Sequence, residues 1–288
     1  MLIRKLTRLF GVRKAKKMGL STVPSQKTAL TTGPGDNPFA VSLLDRVADG
    51  WFNQKDSEIC PGVKIHPHHT VADIGCGGGG IVNFCIQRDA HIMFMDVDAE
   101  KVNTIEKRLL TRKQNKFDAL IGDCTNIPID DDRCDIVICT EVLEHVDDPV
   151  KVMQELARIG KPGAYYVLTV PDAAGESLMK ATAPAAYFEK PNHIRIFERD
   201  EFQLLVENAG LEVTKRSFHG SYGSILWMMH WMTHSTDEPM GPPWEPMSLH
   251  WSKVWAEILS HPNGKAIKSA LDAAIPKCQV IVARKAET

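Results

Sequence analysis

Three aspartates stand where short apolar runs end: Asp73 after Thr70, Val71 and Ala72, Asp96 at the close of M-F-M-D, and Asp123 in G-D-C. Two residues after Asp73 begins a glycine run, G-C-G-G-G-G, from Gly75 to Gly80. Glycines at a strand-to-helix turn let the backbone approach a ligand closely and adopt φ > 0 at little cost. Gly75, Gly77 and Gly80 satisfy G-x-G-x-x-G, with Asp96 where a ribose-binding acid is expected, so the glycines alone leave a dinucleotide open. Asp73 tips the reading. A carboxylate at that strand end suits a ligand carrying an ammonium group and a sulfonium, not a pyrophosphate. Asp96 can accept both ribose hydroxyls. Asp123 can accept an adenine amino group, its plain alternative being a turn residue.

Such residues converge only if the elements between them alternate, and the pattern predicts that they do. Strands are expected at 70–74, 91–95, 119–121, 134–139 and 165–170, with helices at 80–88, 100–112 and 150–159. A further helix at 199–208 and strands at 211–218 and 277–284 follow. Short apolar strands alternating with helices imply a parallel sheet covered on both faces. In a doubly wound sheet, ligands sit beyond the carboxyl ends of the strands, where all three aspartates fall. Asp98 lies too far along and is expected to cap the next helix, with Glu100 in its first turn. Ahead of the glycine turn, 39–52 has helical spacing and is expected to cover the edge of the cleft.

After the fourth of these strands comes T-E-V-L-E-H-V-D-D-P, Thr140 to Pro149, and then E-L-A-R-I-G-K-P-G, Glu155 to Gly163. With D-x-G-x-G-x-G at Asp73, the chain resembles the class I S-adenosylmethionine-dependent methyltransferases. The resemblance covers roughly 70–170 well and 190–218 less fully, and it says little about the methyl acceptor. It implies a doubly wound, seven-stranded, mostly parallel sheet whose last strand is antiparallel, with helices on both faces and a helical insertion before the last strand. By motif position it places Asp73, Gly75, Gly77 and Gly79 at the methionine end, Asp96 at the ribose, Asp123 and Cys124 at the adenine, and Glu141 beside the sulfonium. Cys76 and Val97 complete the expected contacts to S-adenosylmethionine.

A sulfonium is already an excellent leaving group, so holding the acceptor in line is the main requirement. A base is needed only for an acceptor that arrives protonated. If this segment is a helical turn, Glu141, Glu144 and His145 fall on one side of it. His145 and Glu141 are the candidate catalytic residues. A divalent metal held near here, as in some ubiquinone-pathway O-methyltransferases with a similar pattern, and a purely structural His145 are the alternatives. No metal is assigned. Tyr187, Phe188, His193 and Arg195 form a mixture suited to an acceptor pocket, where Arg195 could clamp a carboxylate or make a surface salt bridge.

Residues 39–288 are expected to form a single methyltransferase domain. Within it, 221–275 is far longer than a hairpin loop and rich in Trp, Met and His. Trp227 and Trp231 make it a lid over the acceptor or a homodimer interface, with helices at 252–259 and 265–275. If the sixth strand runs parallel to the first five, this insertion leaves the sheet on the ligand side.

The 288 residues carry 34 basic and 36 acidic side chains. Eight of the basic ones lie in 1–35 with no acid among them, leaving a body near −10. An acidic body argues against a nucleic-acid partner and for a small-molecule methyl acceptor. The segment 1–38 reads as a basic tail and linker. Residues 1–18 could form an amphipathic helix on an anionic membrane, a transit peptide or a disordered tail. The seven cysteines form no C-x-x-C pair, which argues against a disulfide framework or zinc site. No stretch approaches the ~18 apolar residues of a membrane span. The expected location is the cytoplasm, with peripheral contact to a membrane through 1–18 as the alternative for a lipid or quinone-precursor acceptor.

Overall fold

In the computed structural model, which describes residues 35–234 and 240–287, the strands assemble in an order set by crossover helices. A small hairpin, β1 (Glu58–Cys60) and β2 (Val63–Lys64), precedes the main sheet. The sheet consists of β3 (Thr70–Ile74), β4 (His91–Asp96), β5 (Phe117–Ile121), β6 (Cys134–Thr140), β7 (Gly160–Pro171), β8 (Leu211–His219) and β9 (Cys278–Lys285). Their spatial order is β5-β4-β3-β6-β7-β9-β8. The first five are parallel, and β9 is antiparallel to both β7 and β8. β8 therefore runs parallel to the five. The expected tail at 1–18 and most of the linker lie outside the described residues.

The helices are α1 (Pro38–Ala48), α2 (Gly80–Ile86), α3 (Ala99–Thr111), α4 (Pro149–Ile159), α5 (Ala173–Met179), α6 (Arg199–Asn208), α7 (Ser221–Thr233), α8 (Pro246–Ser260) and α9 (Gly264–Ala274). Their starts follow from local chemistry. Asn37, Asp98, Asp148 and Asp172 cap α1, α3, α4 and α5 through backbone N–H groups, and Pro38 and Pro149 open their helices with no N–H to leave unpaired. Alternation along β3 serves both faces. Val71 joins Ile81, Phe84, Val102 and Ile105 on one side, while Ala72 and Ile74 join Val152, Leu156 and Phe202 on the other.

Three differences from the sequence expectation have physical causes. The first helix stops at Ala48 rather than running to residue 52, because the chain turns at Gly50 (φ 89°) and Phe52 donates to the Ile59 carbonyl at 3.0 Å. Trp51 and Phe52 thereby enter the core under the hairpin, which was not foreseen. The insertion holds three helices, not two. α7 buries Tyr222 and Leu226 against Val41 and Trp255, joining α1 and α8 into one cluster.

Lys268 of α9 ties the insertion to α1. Its ammonium is buried and lies 2.9, 2.9 and 2.8 Å from Asp45, Asp49 and Asp272. Burial opposes its charge, but Asp45 and Asp49 hold its pKa above the usual value. Asp45 is pushed up to about 6 by burial, against the pull of Lys268. Lys268→Met is expected to cost about 3 kcal/mol, since it strands buried carboxylates. Thermal unfolding checks this. The loss should shrink as pH falls toward about 6, because without Lys268 the Asp45 carboxyl takes up its proton at higher pH than in the wild type, which removes the stranded charge.

Candidate functional site

The carboxyl ends of β3, β4, β5 and β6 open on one side of the sheet, and the residues they deliver face a common cleft. Asp73 is 1 % exposed, and neither carboxylate oxygen has a hydrogen-bond partner. Burial, then the charge of Asp96, pushes its pKa up to about 7. A buried carboxylate without a partner is costly, and a ligand ammonium would relieve that cost.

The glycine turn beside it is shaped by backbone geometry. Gly75 (φ 79°) and Cys76 donate to the Met95 carbonyl at 2.8 and 2.9 Å, locking the turn to β4. A Cβ on Gly75 would lie 2.2 Å from Val142 Cγ2. Gly77 (φ 49°) donates to Asp96 Oδ2 at 3.0 Å. Gly79 (φ 73°) caps α2. Gly75→Ala combines a positive φ with that clash, and is expected to cost roughly 1–3 kcal/mol and to displace the β6 loop. Unfolding and cofactor titration check both effects.

Asp96 accepts from Gly77 through one oxygen and from the Asp98 N–H through the other at 3.0 Å. Each oxygen keeps a lone pair for a diol. Asp98 caps α3, as its position implied. Val97 is 77 % exposed beside Asp96, an apolar surface on which a flat ring can lie. Asp123 is exposed and accepts from the Thr125 N–H at 2.7 Å, which lowers its pKa. Cys124 is half-buried, and burial pushes its thiol up to about 11. Cys76 is buried under the turn.

Glu141 sits past the end of β6 with φ 55°, a conformation that costs a non-glycine residue energy and clusters at functional sites. Its Oε1 accepts from Thr169 Oγ1 at 2.9 Å, and its Oε2 lies 3.6 Å from Lys277 Nζ. Lys277 in turn lies 3.8 Å from Glu176 Oε1. Burial opposes the Lys277 charge, but Glu141, Tyr187 and Glu176 raise its pKa.

Glu176, on α5, is 1 % exposed. Its carboxylate accepts from His193 Nδ1 at 3.0 Å and from the Tyr187 hydroxyl at 3.2 Å. Burial opposes its charge, yet the His193 hydrogen bond and Lys277 hold its pKa below the usual value. With Nδ1 turned to Glu176, Nε2 is the nitrogen that a neutral His193 ring offers as an acceptor. His145 is used differently. Its Nδ1 donates to the carbonyls of Pro191 and Asn192 at 3.1 and 3.0 Å, and its Nε2 lies 3.7 Å from Glu144 Oε1. Glu144 is fully buried, and burial, then Glu141, pushes its pKa well above the carboxylate range. Burial, then His193, lowers the pKa of His145.

The acceptor candidates divide. The Tyr187 ring lies 4.5 Å from His193 and 5.5 Å from Trp231, and Phe188 stacks edge-on against it at 4.9 Å. Trp227 stacks on Trp231 at 5.5 Å, and the Trp231 indole N–H is buried without a partner. Arg195 instead reaches the Asp147 carbonyl at 3.5 Å and lies toward Phe197, at the rim rather than among these rings. Glu176 and Lys277 escaped sequence reasoning. Each is one charge beside an apolar run, and only the fold joins them. A separate cavity of about 380 Å³, lined by Lys64, His66, His69, Asp135 and Lys161, opens at the opposite ends of the strands. Parallel sheets seldom place active sites there.

Residues 2–216 match the family described as methyltransferase domain. A ubiquinone biosynthesis O-methyltransferase of Leptothrix cholodnii is 27 % identical over 224 residues, which span 69 % of this chain and 93 % of that one. Among solved structures, geranyl diphosphate methyltransferase in complex with SAM superimposes with a TM-score of 0.55 at 14 % identity, over 88 % of this chain and 92 % of that one. The [4+2]-cyclase SpnF gives 0.53 at 16 % identity, over 86 % and 82 %. Both likenesses speak to the fold.

Proposed function

This chain belongs to the methyltransferase-domain family, and from that premise we propose that it methylates a hydroxyl on a small aromatic acceptor, with His193 as the general base. The observation that carries the reading is the Glu176–His193 pair, set against Tyr187 and one residue network away from Glu141. S-adenosylmethionine, when bound, supplies a methyl group on a sulfonium. Asp73 would pair with its ammonium, Asp96 would hold the ribose diol, and the turn from Gly75 to Gly79 would lie at the methionine end.

The remaining work belongs to the acceptor side. His193 Nε2 takes the hydroxyl proton as the oxygen turns nucleophilic, and Glu176 holds the imidazole in the right tautomer and steadies its positive charge. Lys277, with the His193 hydrogen bond, keeps Glu176 ionised. Trp227 and Trp231, on α7, wall the pocket and exclude water, which supports the lid over the interface for 221–275. The unpaired Trp231 N–H suits an acceptor oxygen. The Leptothrix relative is named an O-methyltransferase, which favours oxygen over nitrogen or sulfur. The test is a panel of phenols, amines and thiols offered with isotopically labelled methyl donor. Label entering only amines or thiols would sink the reading.

A second reading has its own observation. One ligand atom from each of Glu144, His145 and His193 falls within 4.8 Å of the others, and both rings commit their Nδ1 elsewhere. A divalent cation there would orient a hydroxyl by coordination. Chelator treatment separates the readings: activity survives if His193 is the base and is lost if a metal is required.

A further inference from the structure

Methyl transfer makes no use of the cleft at the amino ends of β3, β6 and β7. Its volume of about 380 Å³ falls in the range of small-molecule pockets, roughly 300–1,000 Å³. One wall comes from β2 and the segment after it, with Lys64, His66 and His69. The other is the start of β7, from Lys161 to Tyr165, and Asp135 of β6 also lines the cleft.

The side chains lining it carry a surplus of positive charge. Asp135 is already engaged, accepting from Lys161 Nζ through Oδ1 and from the Thr70 N–H through Oδ2, both at 2.7 Å. The Lys161 ammonium has two further N–H donors. Lys64 is exposed and forms no ion pair among the described residues. Glu287, near Gly163, is paired with Arg284. His66, His68 and His69 add three imidazoles whose ring centroids lie 4.6 to 5.5 Å apart. These rings do not converge on a metal as Glu144, His145 and His193 do. His66 and His68 stack 7° from parallel, and the His66 N–H occupies the His69 Nδ1 lone pair at 3.3 Å. Burial, then His68, lowers the pKa of His69, and a negative charge in the cleft would offset both.

We propose that this cleft binds a small phosphate monoester, with Lys64, Lys161, His66 and His69 around the phosphate and Tyr165 against the organic group. Two ammonium groups and imidazoles able to take up a proton favour a dianion that accepts several charge-assisted hydrogen bonds. The cleft is far larger than a bare oxyanion needs. Tyr165 is half-buried, and its wall is fixed by Arg284, which lies 5.3 Å from the ring centre and donates to the Gly163 carbonyl at 3.2 Å. The ligand takes no part in methyl transfer. Thr70 and Ile74, the two ends of β3, are roughly 13 Å apart, and Asp73 belongs to the far end. The site is therefore a second one, and it does not depend on which acceptor is methylated.

The experiment titrates the full chain with phenyl phosphate, inorganic phosphate and phenol, and follows the histidine ring signals by NMR. No methyl donor or acceptor is present, so the result is independent of turnover. Phenyl phosphate is expected to shift the His66 and His69 signals saturably, with a Kd of about 1 mM or below, and to leave His145 and His193 in place. Inorganic phosphate should act on the same rings about tenfold more weakly, and phenol should not bind. Lys64→Gln/Lys161→Gln should weaken phenyl phosphate by about tenfold. Lys64→Gln alone, which disturbs no ion pair, should weaken it by about threefold. Tyr165→Leu should weaken phenyl phosphate and leave inorganic phosphate unchanged. All three variants should keep wild-type affinity for S-adenosylmethionine, which shows that they fold. No saturable shift, shifts at His145 and His193 instead, or wild-type affinity in the double lysine variant would overturn the proposal. Equal affinity for the two phosphates would overturn the assignment of an ester. Zinc shifting the same rings at about 10 μM, with no response to phosphate, would show a metal site in its place.

Discussion

Asp73→Asn is expected to make the unliganded protein more stable and to weaken binding of S-adenosylmethionine by roughly 10²–10³-fold, the scale of losing one partner of a buried charge pair. Both effects have one origin. The Asp73 carboxyl is fully enclosed and pushed up to about 7, from an ordinary value of 3.8. A carboxyl whose pKa rises on folding favours the fold below its unfolded value, and that contribution is lost as pH climbs through the folded value. The wild-type protein therefore loses stability between about pH 4 and 7, by up to ~4 kcal/mol if nothing relaxes. Asn escapes this, but its amide still lacks partners, so a net gain of about 1–3 kcal/mol above pH 7 is expected. The same linkage governs the wild-type cofactor affinity, which should rise with pH up to about 7 and then level off. Paired melting curves across pH, with and without cofactor, measure all three trends. An Asn variant that binds normally, or that is less stable at every pH, would show that Asp73 has another role.

Asp73 was legible in the sequence because strand ends announce themselves. A short apolar run, an acid and a glycine turn are local features, and the sheet register does the rest: Asp73 pairs with Phe94 on β4, two residues before Asp96. The alternation of strands and helices was readable for the same reason. The first helix of the insertion was not, although the two that follow it, at 246–260 and 264–274, were expected. α7 is apolar on nearly every side, with Leu226, Trp227, Met228, Trp231 and Met232 in sequence, so no stripe marks it as a helix facing one core. Strands of three and two residues, like β1 and β2, carry no usable period. The topological argument succeeded where periodicity failed: β8 ends at His219 on the ligand side, and α7 leaves it to pack Trp231 against Tyr187.

The acceptor side divides along the same line. His145 belongs to a recognisable motif, so it drew the catalytic expectation. His193 lies in an irregular loop and owes its proposed role to Glu176, which only the packing of α5 brings within 3.0 Å. No spacing rule links those two residues to Lys277. Their juxtaposition is a property of the sheet order, in which β9 inserts between β7 and β8 and carries Lys277 at its start to the cleft.

His193→Gln is accordingly expected to lower kcat by about 10²–10⁴, the usual contribution of a positioned general base, while leaving cofactor affinity unchanged. His145→Gln should cost less, because that ring's Nδ1 is committed to the backbone carbonyls of Pro191 and Asn192, beside His193, and acts there as a positioning contact. A large loss alone would not separate a base from a packing residue, since the His193 ring also touches Tyr187. Acceptor acidity does separate them. A phenol that is already ionised at the assay pH needs no base, so the defect of His193→Gln should shrink steadily as more acidic phenols are offered. A residue that merely shapes the pocket would impair every acceptor alike. Glu176→Gln should follow the same trend with a smaller loss, because the amide still hydrogen-bonds the imidazole but no longer steadies its charge. A defect in His193→Gln that is constant across the acceptor series would remove His193 from proton transfer and leave orientation by the pocket as the source of the rate.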